Sequence, residues 1–116
     1  MELVCKVQNY EWGKKGTDSL VAQLQKNANS NFNVDESLPY AELWMGTHVN
    51  APSLIQESKI PLSEVLNKHP EYLGEQVLKQ FAELPFLIKV LSVNKALSIQ
   101  AHPSKVSYSM FNYMCL

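Results

Sequence analysis

Leu84-Pro85-Phe86-Leu87-Ile88-Lys89-Val90-Leu91-Ser92-Val93-Asn94-Lys95-Ala96-Leu97-Ser98-Ile99-Gln100-Ala101-His102-Pro103 is the stretch from which the fold is read. Phe86 to Val93 is rich in β-branched and bulky apolar residues, which suit a pleated surface packed on at least one side. Asn94-Lys95 offers a tight turn and Ala96 to His102 a second extended run, so the local pattern predicts a β-hairpin. Neighbouring side chains on a strand point to opposite faces. Ser98, Gln100 and His102 therefore share one face, and Leu97, Ile99 and Ala101 the other. With a two-residue turn, Leu91 falls opposite Ser98 and Lys89 opposite Gln100, which adds Lys89 to the polar face.

Polar groups gathered on strands otherwise suited to burial need partners, because an unpaired buried amide or hydroxyl costs roughly several kcal/mol. A divalent metal is one solution. A histidine ring nitrogen and a glutamine carbonyl oxygen, two residues apart on a strand, can reach the same ion, and both suit zinc. Gln100 and His102 make only part of a zinc ligand set, so further donors must come from elsewhere. The plainer alternatives are that His102 is a strand-end histidine satisfied by backbone, and that Lys89 is a solvated lysine on an edge strand.

Further out, Tyr40-Ala41-Glu42-Leu43-Trp44-Met45 reads as a strand closed by Gly46, with Glu42 and Trp44 on the face opposite Leu43 and Met45. Glu42 is either a pocket carboxylate or a solvated strand residue, and Trp12 and Trp44 could each be a core aromatic, the better reading for Trp44. Leu3 to Gln8 is a short strand leading into the aromatic turn Asn9-Tyr10-Glu11-Trp12-Gly13. Asp18 or Ser19 caps an amphipathic helix in which Leu20, Val21, Leu24 and Ala28 form the apolar stripe. The Asn-rich run 27–37 reads as a surface loop with little to bury. Two more short helices are expected, one following Ser63 and ending before Pro70, the other from about Glu75 to Phe81. His48 and His69 read as locally bonded histidines rather than metal ligands.

The chain has 116 residues, 46% of them hydrophobic, which is the scale of one domain with a modest core. Ten Lys and Arg against 11 Asp and Glu leave a formal net charge of -1. That balance provides no field to collect nucleic acid or an anionic membrane. No secretory leader pattern or bilayer-length apolar run is present, so the expectation is a cytoplasmic protein. Cys5 and Cys115 lie at opposite ends with no metal-clamp spacing and are expected to stay reduced.

Three segments together resemble the signature segments of type I mannose-6-phosphate isomerases: 39–48, beginning Pro39-Tyr40-Ala41-Glu42-Leu43-Trp44-Met45, then 84–92, and 97–103 with Ser98-Ile99-Gln100-Ala101-His102-Pro103. Gln8 to Gly13, including Trp12, is similar to the opening of that family, and the likeness runs from about residue 7 to residue 105. The resemblance implies a mainly β fold with helical additions, part of a cupin-type jelly-roll barrel. It further implies one zinc ion and interconversion of mannose 6-phosphate and fructose 6-phosphate through an enediolate, supplying mannose for GDP-mannose. On this likeness Gln100 and His102 are zinc ligands, and Lys89, Glu42, Trp12 and Ser98 line the sugar-phosphate pocket. The expected partners are the small-molecule substrate alone, with no nucleic acid or membrane, in an enzyme that is monomeric when complete.

Val106 to Leu116 has no charged side chain and departs from the family pattern, so residues 1–105 are expected to be the amino-terminal part of the catalytic domain and 106–116 a divergent tail. The family's remaining zinc ligands, a Glu and a second His, and its phosphate-binding basic residues are not matched in this chain. The expectation is therefore that this length of chain is inactive alone. A non-catalytic binding or regulatory fragment, or a metal-binding cupin for another small molecule, are the competing readings.

Overall fold

The computed structural model describes residues 1–99. Its strands are short and fall into three small sheets, with helices packed beside them. β1 (Leu3–Val4) pairs antiparallel with β6 (Leu54–Ile55), and β3 (Lys14–Lys15) with β4 (Pro39–Tyr40). The central sheet has the order β2-β5-β7, where β2 is Lys6–Gln8, β5 Glu42–Met45 and β7 Ile88–Leu91, all antiparallel. Among the described residues no sheet closes into a barrel, and helices occupy as much chain as strands do.

The predicted strand from Leu3 to Gln8 is interrupted at Cys5, and that from Tyr40 to Met45 at Ala41. At each interruption the chain passes from one small sheet to another, so a single run of β-prone residues serves two partners. One face of the central sheet carries Val7, Leu43 and Val90, which pack with Val21, Ala22 and Tyr40 as the core.

Helix α1 (Leu20–Ala28) covers that face, and Ser19 caps it as expected, its Oγ accepting from the Ala22 amide. The same hydroxyl donates to the Tyr40 carbonyl at 2.7 Å, while the Leu20 amide donates to Ser92 Oγ at 3.3 Å. These tethers fix the roll of the helix. Val21 is fully buried as expected, and Ala22 with it, whereas Leu20, Leu24 and Ala28 stay exposed, so the expected Leu20/Val21/Leu24/Ala28 stripe is corrected to one centred on Val21 and Ala22. Small side chains at 21 and 22 also let the helix sit close to the sheet. The Asn-rich loop buries more than its composition suggests, because Phe32 packs edge-on against Tyr40 with ring centroids 5.9 Å apart.

Helix α2 (Leu62–Lys68) begins ahead of Ser63, with Pro61 as its cap residue, and ends at Lys68, with His69 capping it before Pro70. Helix α3 (Glu75–Gln80) lies where the sequence placed it. No helix among the described residues is long and apolar enough to cross a membrane.

The predicted hairpin is not found as far as residue 99. β7 pairs with β5, in the register Trp44↔Lys89 and Glu42↔Leu91, and residues 94–99 form no strand. Instead of turning back along β7, the chain is caught by the aromatic turn: the Asn94 and Lys95 amides both donate to the Trp12 carbonyl, and Gly13 bridges to Val93. The expected pairing of Lys89 with Gln100 lies outside the described residues; within them, Lys89 falls opposite Trp44 of β5.

Candidate active site

Alternation along β5 sends Leu43 into the α1 core and turns Glu42 and Trp44 to the opposite face of the sheet. Antiparallel register then sets Lys89 directly beside Trp44 on that face. The outcome is a tight polar group built from two strands. Glu42 is 5% exposed and Trp44 7%, while the Lys89 side chain is 36% exposed. Lys89 Nζ lies 3.2 Å from Glu42 Oε2, and the same oxygen accepts the indole N–H of Trp44. The ammonium also stands over the Trp44 ring, 4.6 Å from a ring centroid, within cation–π range.

A carboxylate this deeply buried is tolerable because it has both a counter-charge and a hydrogen-bond donor. Both contacts fall on Oε2, leaving Oε1 outside them. Lysine has three donors and spends one on Glu42. The arrangement thus offers a carboxylate oxygen and a half-exposed ammonium side by side, the pairing that general acid–base chemistry and anion stabilisation use.

His48 closes one side of Trp44, edge to face with centroids 4.9 Å apart, and its Nδ1 accepts from the Asn50 amide at 3.2 Å. That local bond is the one expected from the sequence. His69 is also locally engaged, 3.1 Å from Glu71 Oε1 and stacked on Tyr72.

Trp12 lies half-buried in the aromatic turn, stacked on Tyr10 at 5.9 Å. Its position follows from Gly13, where a Cβ would come within 2.6 Å of the Ala41 Cα; only a glycine lets the turn lie against the sheet so closely. No hydrogen bond, ring pair or cation–π contact joins Trp12 to Glu42 or Lys89 among the described residues. Ser98 is exposed and lies outside any strand, so the register expected to set it opposite Leu91, on the face of Lys89, is not found. Gln100 and His102 lie outside the described residues.

Of the site residues picked from the sequence, the structure therefore joins Glu42 and Lys89. It adds Trp44, assigned to the core from its bulk. Trp44 is buried, but on the sheet face away from the α1 core, and its spacing of two from Glu42 was the available signal.

Within the described residues no three His, Cys, Asp or Glu side chains gather as a metal site, and Glu42 is already committed to Lys89 and Trp44. These residues alone do not fit a zinc centre.

The family model for phosphomannose isomerase type I, catalytic domain, matches residues 1–112. The chain belongs to the type I phosphomannose isomerase family. The family match reaches past Lys105, the boundary expected from the sequence. Mannose-6-phosphate isomerase of Schizosaccharomyces pombe is 54% identical over 104 residues, covering 89% of this chain and 24% of its own. Mannose-6-phosphate isomerase 1 of Arabidopsis thaliana is 47% identical over 108 residues, 89% of this chain and 25% of its own.

Solved phosphomannose isomerase structures agree in fold. A mannose 6-phosphate isomerase bound with zinc and yttrium superposes with a TM-score of 0.71 at 34% identity, over 98% of this chain and 28% of that one. The apo form from Salmonella typhimurium gives 0.70 at the same 34%, over 98% and 28%. The chain spans about a quarter of the length of the relatives it matches.

Proposed function

We propose that this chain is the amino-terminal part of an aldose–ketose isomerase that interconverts mannose 6-phosphate and fructose 6-phosphate. The observation that carries the reading is the pairing of buried Glu42 with Lys89 on the sheet face away from the core, in a chain of this family. Moving a carbonyl between adjacent carbons requires removing a proton next to it and stabilising the enediolate that results. Lys89 supplies positive charge for that anion from a partly desolvated position. Glu42 is the carboxylate best placed to take or return the proton, with Oε1 outside its two structural contacts. Trp12 and Ser98 would border the same pocket in the complete protein.

Zinc fits as one ion held partly by Gln100 and His102, whose imidazole and amide oxygen are suitable donors, with the further ligands contributed by additional chain. When bound, it would act as a Lewis acid on the sugar oxygens. In this reading residues 1–105 form the first part of a cupin barrel that later strands close, in a cytoplasmic enzyme, monomeric when complete, that supplies mannose for GDP-mannose. The 116-residue chain by itself is expected to be inactive.

A chimera tests this: residues 1–105 replace the matching quarter of the Schizosaccharomyces pombe enzyme, which is 54% identical there. It is expected to isomerise mannose 6-phosphate and to contain zinc, and His102→Ala is expected to abolish both. A chimera that folds without activity, or an active His102→Ala chimera, sinks the assignment. The isolated chain assayed alongside is expected to show no turnover; turnover there would overturn the claim that the ligand set is incomplete.

A further inference from the structure

We propose that Trp44 is a positioning residue that holds Glu42 and Lys89 in working geometry through two different parts of one indole; the idea rests on the isomerase reading. The indole N–H donates to Glu42 Oε2 and the ring face lies 4.6 Å under Lys89 Nζ. Lys89 Nζ is also 3.2 Å from that carboxylate oxygen. Glu42, Trp44 and Lys89 thus form a closed triangle in which each member touches the other two.

The triangle answers a chemical difficulty. A lysine and a glutamate left alone on a sheet surface have several rotamers, and a free ammonium can move to whichever carboxylate oxygen is nearer. The indole N–H occupies Oε2 from one side and fixes the plane of the carboxylate, so the ammonium meets a set oxygen. The ring face holds the ammonium without a second anion, and so without further neutralising it. Side chains two apart on a strand project in parallel, and an indole is long enough to fold its N–H back to its neighbour. Trp44 is itself fixed, buried at 7% exposure with the His48 ring against its edge. Lys6 and Gln8 pair opposite Trp44 and Glu42 on β2 and complete the polar face.

Phenylalanine at 44 keeps an aromatic face for Lys89 and removes the N–H, so Trp44→Phe in the chimera separates the two contacts. It is expected to lower kcat about tenfold to a hundredfold, the scale of a small misplacement of reacting groups, with KM changed by less than about threefold. In a Glu42→Gln background the same change is expected to cost less than about twofold, because the group it positions has already been altered. Equal losses in both backgrounds, or an unchanged kcat, overturn the proposal. A readout independent of turnover is the Trp44 indole resonance in 15N-tryptophan-labelled chimera, assigned by its absence in Trp44→Phe. It is expected to move upfield in Glu42→Gln, and a stationary resonance refutes the tether even if the unsubstituted chimera is inactive, an outcome that by itself defeats only the isomerase reading.

Discussion

The two faces of the β2-β5-β7 sheet are made from alternate residues of the same strands, yet they behave as different materials. Under α1, Val7, Leu43 and Val90 meet Val21, Ala22 and Tyr40 in an apolar contact. On the opposite face, Glu42, Trp44 and Lys89 form a polar group whose contacts are directional rather than bulky. Burial on the first face contributes stability in proportion to area. The second gains little from its ion pair, since Lys89 is over a third exposed and such pairs are worth about 1 kcal/mol or less. The difference teaches that one strand can separate folding from chemistry by period-two alternation alone.

Substitutions on the two faces are therefore expected to have unlike effects. Leu43→Ala removes a buried side chain from the α1 face and is expected to cost about 2–5 kcal/mol, read as a lower urea midpoint of the chain. A loss under about 1 kcal/mol would mean that this face is not the core. Lys89→Met is expected to act chiefly on the chemistry, lowering kcat of the chimera by about a hundredfold or more, while the loss of Glu42's counter-charge costs about 1–3 kcal/mol of stability, less than Leu43→Ala. An active Lys89→Met enzyme would remove the chemistry from the second face.

Smaller in effect, Ser19→Ala tests how the helix is aimed. It deletes both the cap to the Ala22 amide and the bond to the Tyr40 carbonyl, and is expected to cost about 1–2 kcal/mol, with Ser19→Thr recovering much of it. Full stability in Ser19→Ala would show that packing of Val21 and Ala22, not the hydroxyl, sets the roll.

Much of this was legible in the sequence. Glu42-Leu43-Trp44-Met45 announces its two faces by alternation, and Ser19 announces a helix start, because both signals are local. What failed depended on distant partners. Asn94-Lys95 has the composition of a hairpin turn, but its amides are claimed by the Trp12 carbonyl from the far end of the described chain. Leu20 and Leu24 look like partners of Val21 in the buried stripe of α1, but Ser19 Oγ and Ser92 Oγ turn the helix so that Ala22 takes their place. Lys89 was read onto a polar face from the hairpin alone, whereas β5 gives it neighbours, Trp44 and Glu42, that only long-range strand pairing brings in.

The smallest expected effect concerns Cys5, where the chain leaves β1 for β2 and the thiol packs against the α1-side core. Burial pushes its thiol pKa up, an effect only partly offset by the Ser53 hydroxyl, whose oxygen lies 3.9 Å from Sγ. Since the folded chain holds the thiol proton more firmly than the unfolded chain, this stability is fully present below the unfolded thiol pKa and is lost as pH rises through the folded one. Alkylation by iodoacetamide requires the thiolate, so at pH 8, with Cys115 distinguished by peptide mass, Cys5 is expected to react several-fold more slowly in the native chain than in urea, on the order set by a modest fall in thiolate fraction and access. Equal rates would place Cys5 in water and detach the start of β2 from the buried face, narrowing the contrast between the two sides of the sheet to Leu43 and its immediate neighbours.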